Sequence, residues 1–311
     1  MPSLARTPRW LELSADYRCN NRCIGCFSVR DQGPSMSAEE IVLHLTRARR
    51  EGATSLWLGG GEPTLRKDSF AVVRKARELG YTRVKLQTNG MLLAYPEVAE
   101  RYVRAGVTEV AFAIKGASAE SHDRMTRTPG CYDLMLRGMA EVARHALPME
   151  GDLLIYASTV DELPQMVEKH ARLGLGHFNV WLFSAADQGD RDLASHVPRM
   201  REVMARITET LDEHPSVSLT SLHTPLCVIP AGYERARFHA HDLDLVVANP
   251  GGIRFWLEES SIEGGRYLAS CEACTARPRC GGLRQDYIDV HGADEFRPLR
   301  AGDPRSSSEV T

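Results

Sequence analysis

"CNNRCIGC", residues 19–26, sets Cys19, Cys23 and Cys26 within eight positions of a chain that otherwise has the make-up of an ordinary globular protein. The irregular spacing, three residues and then two, asks what these thiols hold. Disulfides belong to oxidising compartments, and MPSLARTPRW at residues 1–10 has no apolar run of signal-peptide length. The eight cysteines also cluster, three at 19–26 and three at 271–280, with Cys131 and Cys227 apart. Such clusters read as metal ligands. Zinc sites draw on C-x2-C-like pairs with a second pair elsewhere, so a three-cysteine loop fits an incomplete coordination sphere better. Three thiolates on an iron–sulfur cube leave one iron for an outside ligand; a zinc loop is the alternative.

Composition narrows the classes. With 43 % hydrophobic and 25 % charged residues over 311 positions, the chain can bury a sizeable core, as one large domain or a barrel with an appendage. A net charge of −3 gives no basic field and argues against nucleic acid as a partner. No apolar stretch approaches the roughly 20 residues that cross a bilayer. No membrane association is expected, and the cytoplasm is the expected compartment.

Apolar runs at 10–13, 55–58, 83–87, 109–114, 153–156 and 178–182 read as strands alternating with amphipathic segments. Ser37 with Glu40 is a capping box that opens a helix stopping at Gly52. Further helices are predicted at 68–79, 96–105, 132–145 and 162–173, and an apolar stripe from Val197 to Leu211 marks a sixth. Six βα units in a row predict an α/β fold with a parallel sheet, whether open, doubly wound or a partial barrel. In each, a ligand sits at the C-terminal ends of the strands. Loops 15–33, 59–65, 88–92 and 115–129 would then surround one mouth. Beyond residue 215 the pattern changes: 243–248 and 253–257, joined by Asn-Pro-Gly-Gly, predict a β-hairpin. The expected organisation is a barrel over 1–214, a small C-terminal domain over 215–300 and a disordered tail over 301–311.

"GGGEPTL", residues 59–65, directly follows the second predicted strand. Its glycines allow close backbone approach to a ligand, and Glu62 offers a carboxylate to an ammonium group; a plain tight turn is the simpler alternative. "LQTNGML", residues 86–92, ends the third strand with the turn dipeptide Asn89-Gly90.

In that order, across about residues 10–300, these motifs resemble the radical S-adenosylmethionine (SAM) superfamily. The resemblance implies a partial (βα)6 TIM barrel and a [4Fe–4S] cluster on Cys19, Cys23 and Cys26 whose fourth iron binds SAM. It implies that Gly60, Gly61 and Glu62 hold the SAM methionine amino group, with Asn89 in support. "AFAIKGASAESHDRMTRTPGCYD", residues 111–133, resembles the family's fourth-strand segment with departures. The family serine that touches the SAM ribose falls on Ala113, and the family aspartate on Lys115. Lys115 is then a candidate contact for a substrate carboxylate or phosphate, or else a solvated strand-end lysine. His122 and Asp123 read as loop-capping groups. Cys131, on the loop after the fourth strand where the family usually has Ser, is a candidate hydrogen donor to a substrate radical or a packing thiol.

"CEACTARPRCGG", residues 271–282, resembles the signature of the SPASM/twitch subgroup, which carries auxiliary [4Fe–4S] clusters. A full SPASM domain has a further cysteine where Arg284 stands, and more cysteines than this chain supplies. The resemblance therefore implies one auxiliary cluster on Cys271, Cys274 and Cys280, with Cys227 as fourth ligand. Cys227 as a small buried hydrophobe and a structural zinc on the same cysteines are the alternatives. The implied activity is reductive cleavage of SAM to methionine and a 5′-deoxyadenosyl radical, which takes hydrogen from a small metabolite or a peptide residue. Oxidation, cross-linking or epimerisation would follow, with the auxiliary cluster as electron acceptor. An electron donor such as flavodoxin or ferredoxin is implied as partner. With no leader-binding domain expected before residue 10, a peptide substrate would call for a separate recognition protein. The reading of another class is a non-catalytic iron–sulfur electron carrier or zinc-binding adaptor; GGGEPTL argues against it, because a carrier needs no SAM pocket.

Overall fold

The computed structural model describes residues 6–26, 35–185, 191–238 and 240–306. Its strands are β1 (Trp10–Ser14), β2 (Ser55–Gly59), β3 (Arg83–Thr88), β4 (Glu109–Ile114), β5 (Met149–Ile155), β6 (Leu175–Leu182), β7 (Ser218–Leu222), β8 (Leu245–Asn249) and β9 (Ile253–Trp256). The helices are α1 (Ala38–Glu51), α2 (Ser69–Glu78), α3 (Pro96–Ala105), α4 (Ala119–Thr126), α5 (Cys131–Arg144), α6 (Leu163–Ala171), α7 (Met200–Glu213) and α8 (Gln285–His291). Two compact units share the chain. The first takes Met1–Ala113, Thr126–Glu150 and Leu243–Leu257, the second Ile114–Met125, Gly151–Asp242 and Glu258–Thr311.

In the first unit the strand order is β4-β3-β2-β1-β8-β9. All neighbours are parallel except β8 and β9. Parallel strands are covered on both faces and read as unbroken apolar runs. Leu11, Leu13, Leu56, Val84 and Leu86 are accordingly fully buried. The fold class is α/β with a parallel-dominated sheet, as a partial barrel requires. The Ser37 hydroxyl accepts the Glu40 N–H at 3.1 Å and starts α1, and Gly52, at φ +117°, ends it. The predicted hairpin is β8–β9. It does not open a separate C-terminal domain, because β8 also pairs in parallel with β1, Trp10 opposite Leu245.

In the second unit β7 pairs in parallel with β6, Phe178 opposite Leu219. β7 has no counterpart among the strands expected from the sequence. Its residues Ser-Leu-Thr-Ser-Leu carry too little apolar material to stand out, although Ser221 and Leu222 are buried. Helices α4 and α8 went unpredicted for the same reason. After β7 the unit is built mainly from short 3-10 turns. One lies at Pro304–Ser306, in the stretch expected to be a disordered tail. There Arg305 pairs with Asp303 at 2.7 Å and donates to the carbonyl oxygens of Cys227 at 3.4 Å and Ile229 at 3.1 Å. Residues 307–311 of that tail, and 27–33 of the first loop, lie outside the described residues. No helix among the described residues is long and apolar enough to cross a membrane.

Inside the first unit, Lys85 meets Glu150 at 2.6 Å, with side chains 10 % and 17 % exposed. Its ammonium also lies over the rings of Trp57 and Trp10, 5.0 and 5.5 Å from their centroids. Removing one partner strands the other charge, whereas removing both does not. Lys85→Met should cost about 3 kcal/mol in urea unfolding, and Lys85→Met with Glu150→Leu distinctly less. A double variant as unstable as the single one would show that the pair is not coupled.

Candidate active site

The loop after β1 and the loop after β2 meet through their backbones. The Gly61 N–H donates to the Asp16 carbonyl and the Glu62 N–H to the Arg18 carbonyl, both at 2.8 Å. A Cβ on Gly61 would stand 2.3 Å from the Arg18 oxygen, and one on Gly60, at φ +115°, 2.7 Å from the Asp16 oxygen. The glycines thus admit close approach, as expected, but what approaches is the chain's own cysteine loop.

Cys19 is the next residue. Burial pushes its thiol up to about 12, with Glu62, Cys23 and Cys26 adding to the effect and the Asn21 N–H, 3.4 Å from Sγ, opposing it. Cys23 is buried and Cys19 and Cys26 half-buried, and both Cys23 and Cys26 lie within electrostatic reach of Cys19. The Cys19 thiol held that way needs a cationic centre to deprotonate it, which is the chemistry an iron–sulfur cube asks of its ligands. The donor set fits the group.

Glu62 is 2 % exposed. Its Oε1 accepts from the Thr64 N–H at 3.0 Å, the Thr64 hydroxyl at 2.6 Å and the Thr88 hydroxyl at 2.7 Å, while Oε2 accepts the Asn89 N–H at 2.8 Å. Burial raises its pKa and those hydrogen bonds oppose the rise. The carboxylate expected to meet an ammonium is therefore engaged by its own chain, tying the β2 loop to the end of β3. Asn89 continues the link: its Nδ2 donates to Asn20 Oδ1 at 2.7 Å and lies 3.9 Å from Cys19 Sγ. The threonines on Glu62 were not anticipated, since nothing local pairs Thr88 with a residue 26 positions earlier.

Two expectations change. Lys115 is 8 % exposed, so it is not a solvated strand-end lysine. Its N–H donates to His122 Nδ1 at 3.2 Å. Burial, then the Lys115 charge, hold the His122 pKa well below its usual value, leaving a neutral acceptor. Cys131 begins α5 instead of standing on an open loop; it is 1 % exposed and its Sγ lies 2.9 Å from the Thr126 hydroxyl. That environment fits a packing thiol better than a hydrogen donor.

In the second unit, Cys227, Cys271, Cys274 and Cys280 line a single hollow with Leu226 and Tyr267. The Leu299 N–H points to Cys274 Sγ and the Gly282 N–H to Cys280 Sγ, each at 3.3 Å. Burial pushes Cys227 up to about 12, and the other three thiols add to it. His291 Nε2 meets the Val197 carbonyl at 2.9 Å. Arg284, where the fuller signature has a cysteine, is 1 % exposed. It donates to the carbonyls of Leu182 and Phe183 at 3.0 and 2.9 Å and forks onto Asp286. Among the described residues no three His, Cys, Asp or Glu side chains are grouped for a single metal ion.

Residues 16–169 match the profile of the radical SAM superfamily. The chain belongs to that superfamily. An AdoMet-dependent heme synthase of Methanosarcina barkeri is 28 % identical over 193 residues, 61 % of this chain and 55 % of that protein. A protein named "Probable GTP 3′,8-cyclase" of Saccharolobus solfataricus is 27 % identical over 173 residues, 55 % of each. The chain thus spans about half the length of these curated relatives. Streptococcus suis SuiB bound to precursor peptide SuiA shares the fold, with TM-score 0.58 at 15 % identity, over 70 % of this chain and 49 % of that one. Membership of the superfamily brings a [4Fe–4S] cluster and SAM as cofactors.

Gly61→Ala should displace the cysteine loop and lose the iron bound through Cys19, Cys23 and Cys26. Full iron content in that variant would show that the contact is dispensable. Glu62→Ala leaves the Thr64, Thr88 and Asn89 donors without their acceptor, at about 1–3 kcal/mol for each buried group. Its urea midpoint should fall clearly; reduced SAM affinity at unchanged stability would instead favour a direct ammonium contact.

Proposed function

We propose that this protein is a radical SAM enzyme that modifies a small metabolite or a peptide residue, with one auxiliary [4Fe–4S] cluster on Cys227, Cys271, Cys274 and Cys280. The observation that carries the reading is the gathering of those four thiols in one hollow, although Cys227 lies 44 positions before Cys271. With SAM bound to a reduced first cluster, the chemistry supplied is cleavage to methionine and a 5′-deoxyadenosyl radical, followed by hydrogen abstraction from the substrate.

The chain's own part is positional. Cys19, Cys23 and Cys26 would hold the first cluster, and the backbone of Gly60 and Gly61 would present SAM to it. Glu62 and Asn89 keep those loops in register. Cys227, Cys271, Cys274 and Cys280 would hold the second cluster with four thiolates, and full ligation would suit it to electron transfer over substrate coordination, supplying a one-electron acceptor for oxidation of the substrate radical. Lys115 is a candidate contact for an anionic substrate group. The names of the two curated relatives point to small-molecule chemistry, and that of SuiB to a peptide. An electron donor such as flavodoxin or ferredoxin would reduce the first cluster, and a separate recognition protein is a candidate partner for a peptide substrate.

Anaerobic reconstitution with SAM and a reductant should yield 5′-deoxyadenosine. Replacing Cys19, Cys23 and Cys26 together by Ala should abolish it while sparing roughly half of the iron. Cys227→Ala should alter the electron paramagnetic resonance of the auxiliary cluster alone. Wild-type protein that binds zinc at the C-terminal cysteines, or makes no 5′-deoxyadenosine, would favour the carrier or adaptor reading.

A further inference from the structure

The second unit holds another hollow, about 480 Å3 counted out to solvent, walled by His223, Arg237, Glu258, Glu263 and Arg279 among others. Leu226, Cys280 and Gly282 belong to the walls of both hollows, so the two are neighbours. This one is charged where the cysteine hollow is mostly apolar.

Two of its groups are buried with hydrogen-bonding capacity left over. The Arg237 side chain is 10 % exposed, and its acidic partner among the described residues, Asp242, stands 4.0 Å away, beyond hydrogen-bond reach. A guanidinium keeps its charge even when buried, and its donors form a fixed fork suited to a carboxylate. The Glu263 side chain is 6 % exposed. Its Oε2 meets His223 Nδ1 at 3.1 Å, while Oε1 is buried with no hydrogen-bond partner among the described residues.

His223 is held hard. Its side chain is 2 % exposed, and its ring centroid lies 5.5 Å from that of Trp181. Its backbone φ is +62°, in the left-handed region that non-glycine residues seldom adopt. Such conformations persist where surrounding contacts over-determine them, and they cluster at ligand sites. Here those contacts are Glu263 and Trp181, so the position of the Glu263 carboxylate is fixed as well.

A buried cation and a buried carboxylate oxygen, each short of a partner, carry desolvation costs that one ligand would relieve together. That ligand needs an anionic group for the Arg237 fork and an N–H donor for Glu263 Oε1. We infer that this hollow binds a small amino-carboxylate, its carboxylate on Arg237 and its ammonium on Glu263. The inference deepens the proposed function, because the ligand would lie beside the Cys280 corner of the auxiliary site. It stands on the hollow's own side chains and does not depend on iron.

Isothermal titration calorimetry on the full, anaerobically reconstituted chain tests this. The probes are glycine, β-alanine and γ-aminobutyrate, which step the charge separation, with acetate and methylamine as single-charge controls. At least one amino-carboxylate should bind ten times more tightly than either control, and R237Q and E263Q should each weaken it at least tenfold. R237K keeps the charge without the fork and should retain part of the affinity, which separates a lost contact from a lost fold. No preference over the controls, or affinity unchanged in R237Q and E263Q, overturns the inference. In protein carrying both clusters, the bound amino-carboxylate should also perturb the auxiliary signal in electron paramagnetic resonance. Binding that leaves this signal unmoved and survives R237Q and E263Q would place the ligand elsewhere and overturn the inference. A chain with no iron at Cys227, Cys271, Cys274 and Cys280 that still binds the amino-carboxylate through Arg237 and Glu263 would uphold this inference and sink the auxiliary-cluster reading. The two failures are thereby distinguishable.

Discussion

The contact between the backbone of residues 16–18 and the glycines of the β2 loop is the constraint on which the first unit's site depends. Two N–H groups, of Gly61 and Glu62, reach the carbonyls of Asp16 and Arg18, and the space a side chain would need at Gly61 is already filled. Cys19 follows at once, so its place is inherited from this contact. Glu62 carries the constraint to Thr88 and Asn89 at the end of β3, and Asn89 returns it to Asn20. The circuit closes from β1 through β2 and β3 back to the cysteine loop. A buried polar network of this kind specifies one arrangement when every member is satisfied, and residues outside a ligand set orient the set itself.

What could be read in the sequence was local, or came with the order of the motifs. The capping box at Ser37, the stop at Gly52 and the span of α3 are decided within a few residues, and the structure places them where they were expected. The apolar cores of β1 to β6 were legible for the same reason. Long-range pairing was not: nothing near Leu245 announces Trp10 as its neighbour, so the sequence groups the hairpin with the C-terminal cysteines over 215–300. Burial of polar groups was equally hidden. A lysine at a strand end looks solvated until the surrounding chain is in place, and Lys115 is nearly enclosed. Glu62 looked free for an ammonium because Thr88 and Asn89, 26 and 27 positions on, reach it only once β2 and β3 are side by side. For Cys227, counting ligands pointed to the hollow where the structure brings it.

The two thiol sets are supported by different means. The first rests on loops clipped to a parallel sheet. The second stands in a region with little regular structure, where arginines reach backbone carbonyls: Arg305 those of Cys227 and Ile229, Arg284 those of Leu182 and Phe183. A planar fork with five donors suits that task better than an ammonium does. The apolar core there is small, with Leu226, Ala276 and Leu299 packed against Cys227 and Cys274. Small cores need a staple, and a bound metal centre contributes its affinity as folding free energy. A cluster held by these cysteines would add its affinity to the folding of this region.

The parallel pairing of β1 with β8 also sets an order of events during synthesis. Ser14 and Leu245 are 231 positions apart, 245 less 14. At about 5–20 residues per second, ribosomes need roughly 10–50 s to cover that distance. Through that interval β1 can gain β2 on one side while its other edge lacks its strand, and open edges invite pairing with other chains. The cysteine loop is thus made well before the strand that completes its support, and its thiols spend their first half-minute attached to a half-built sheet.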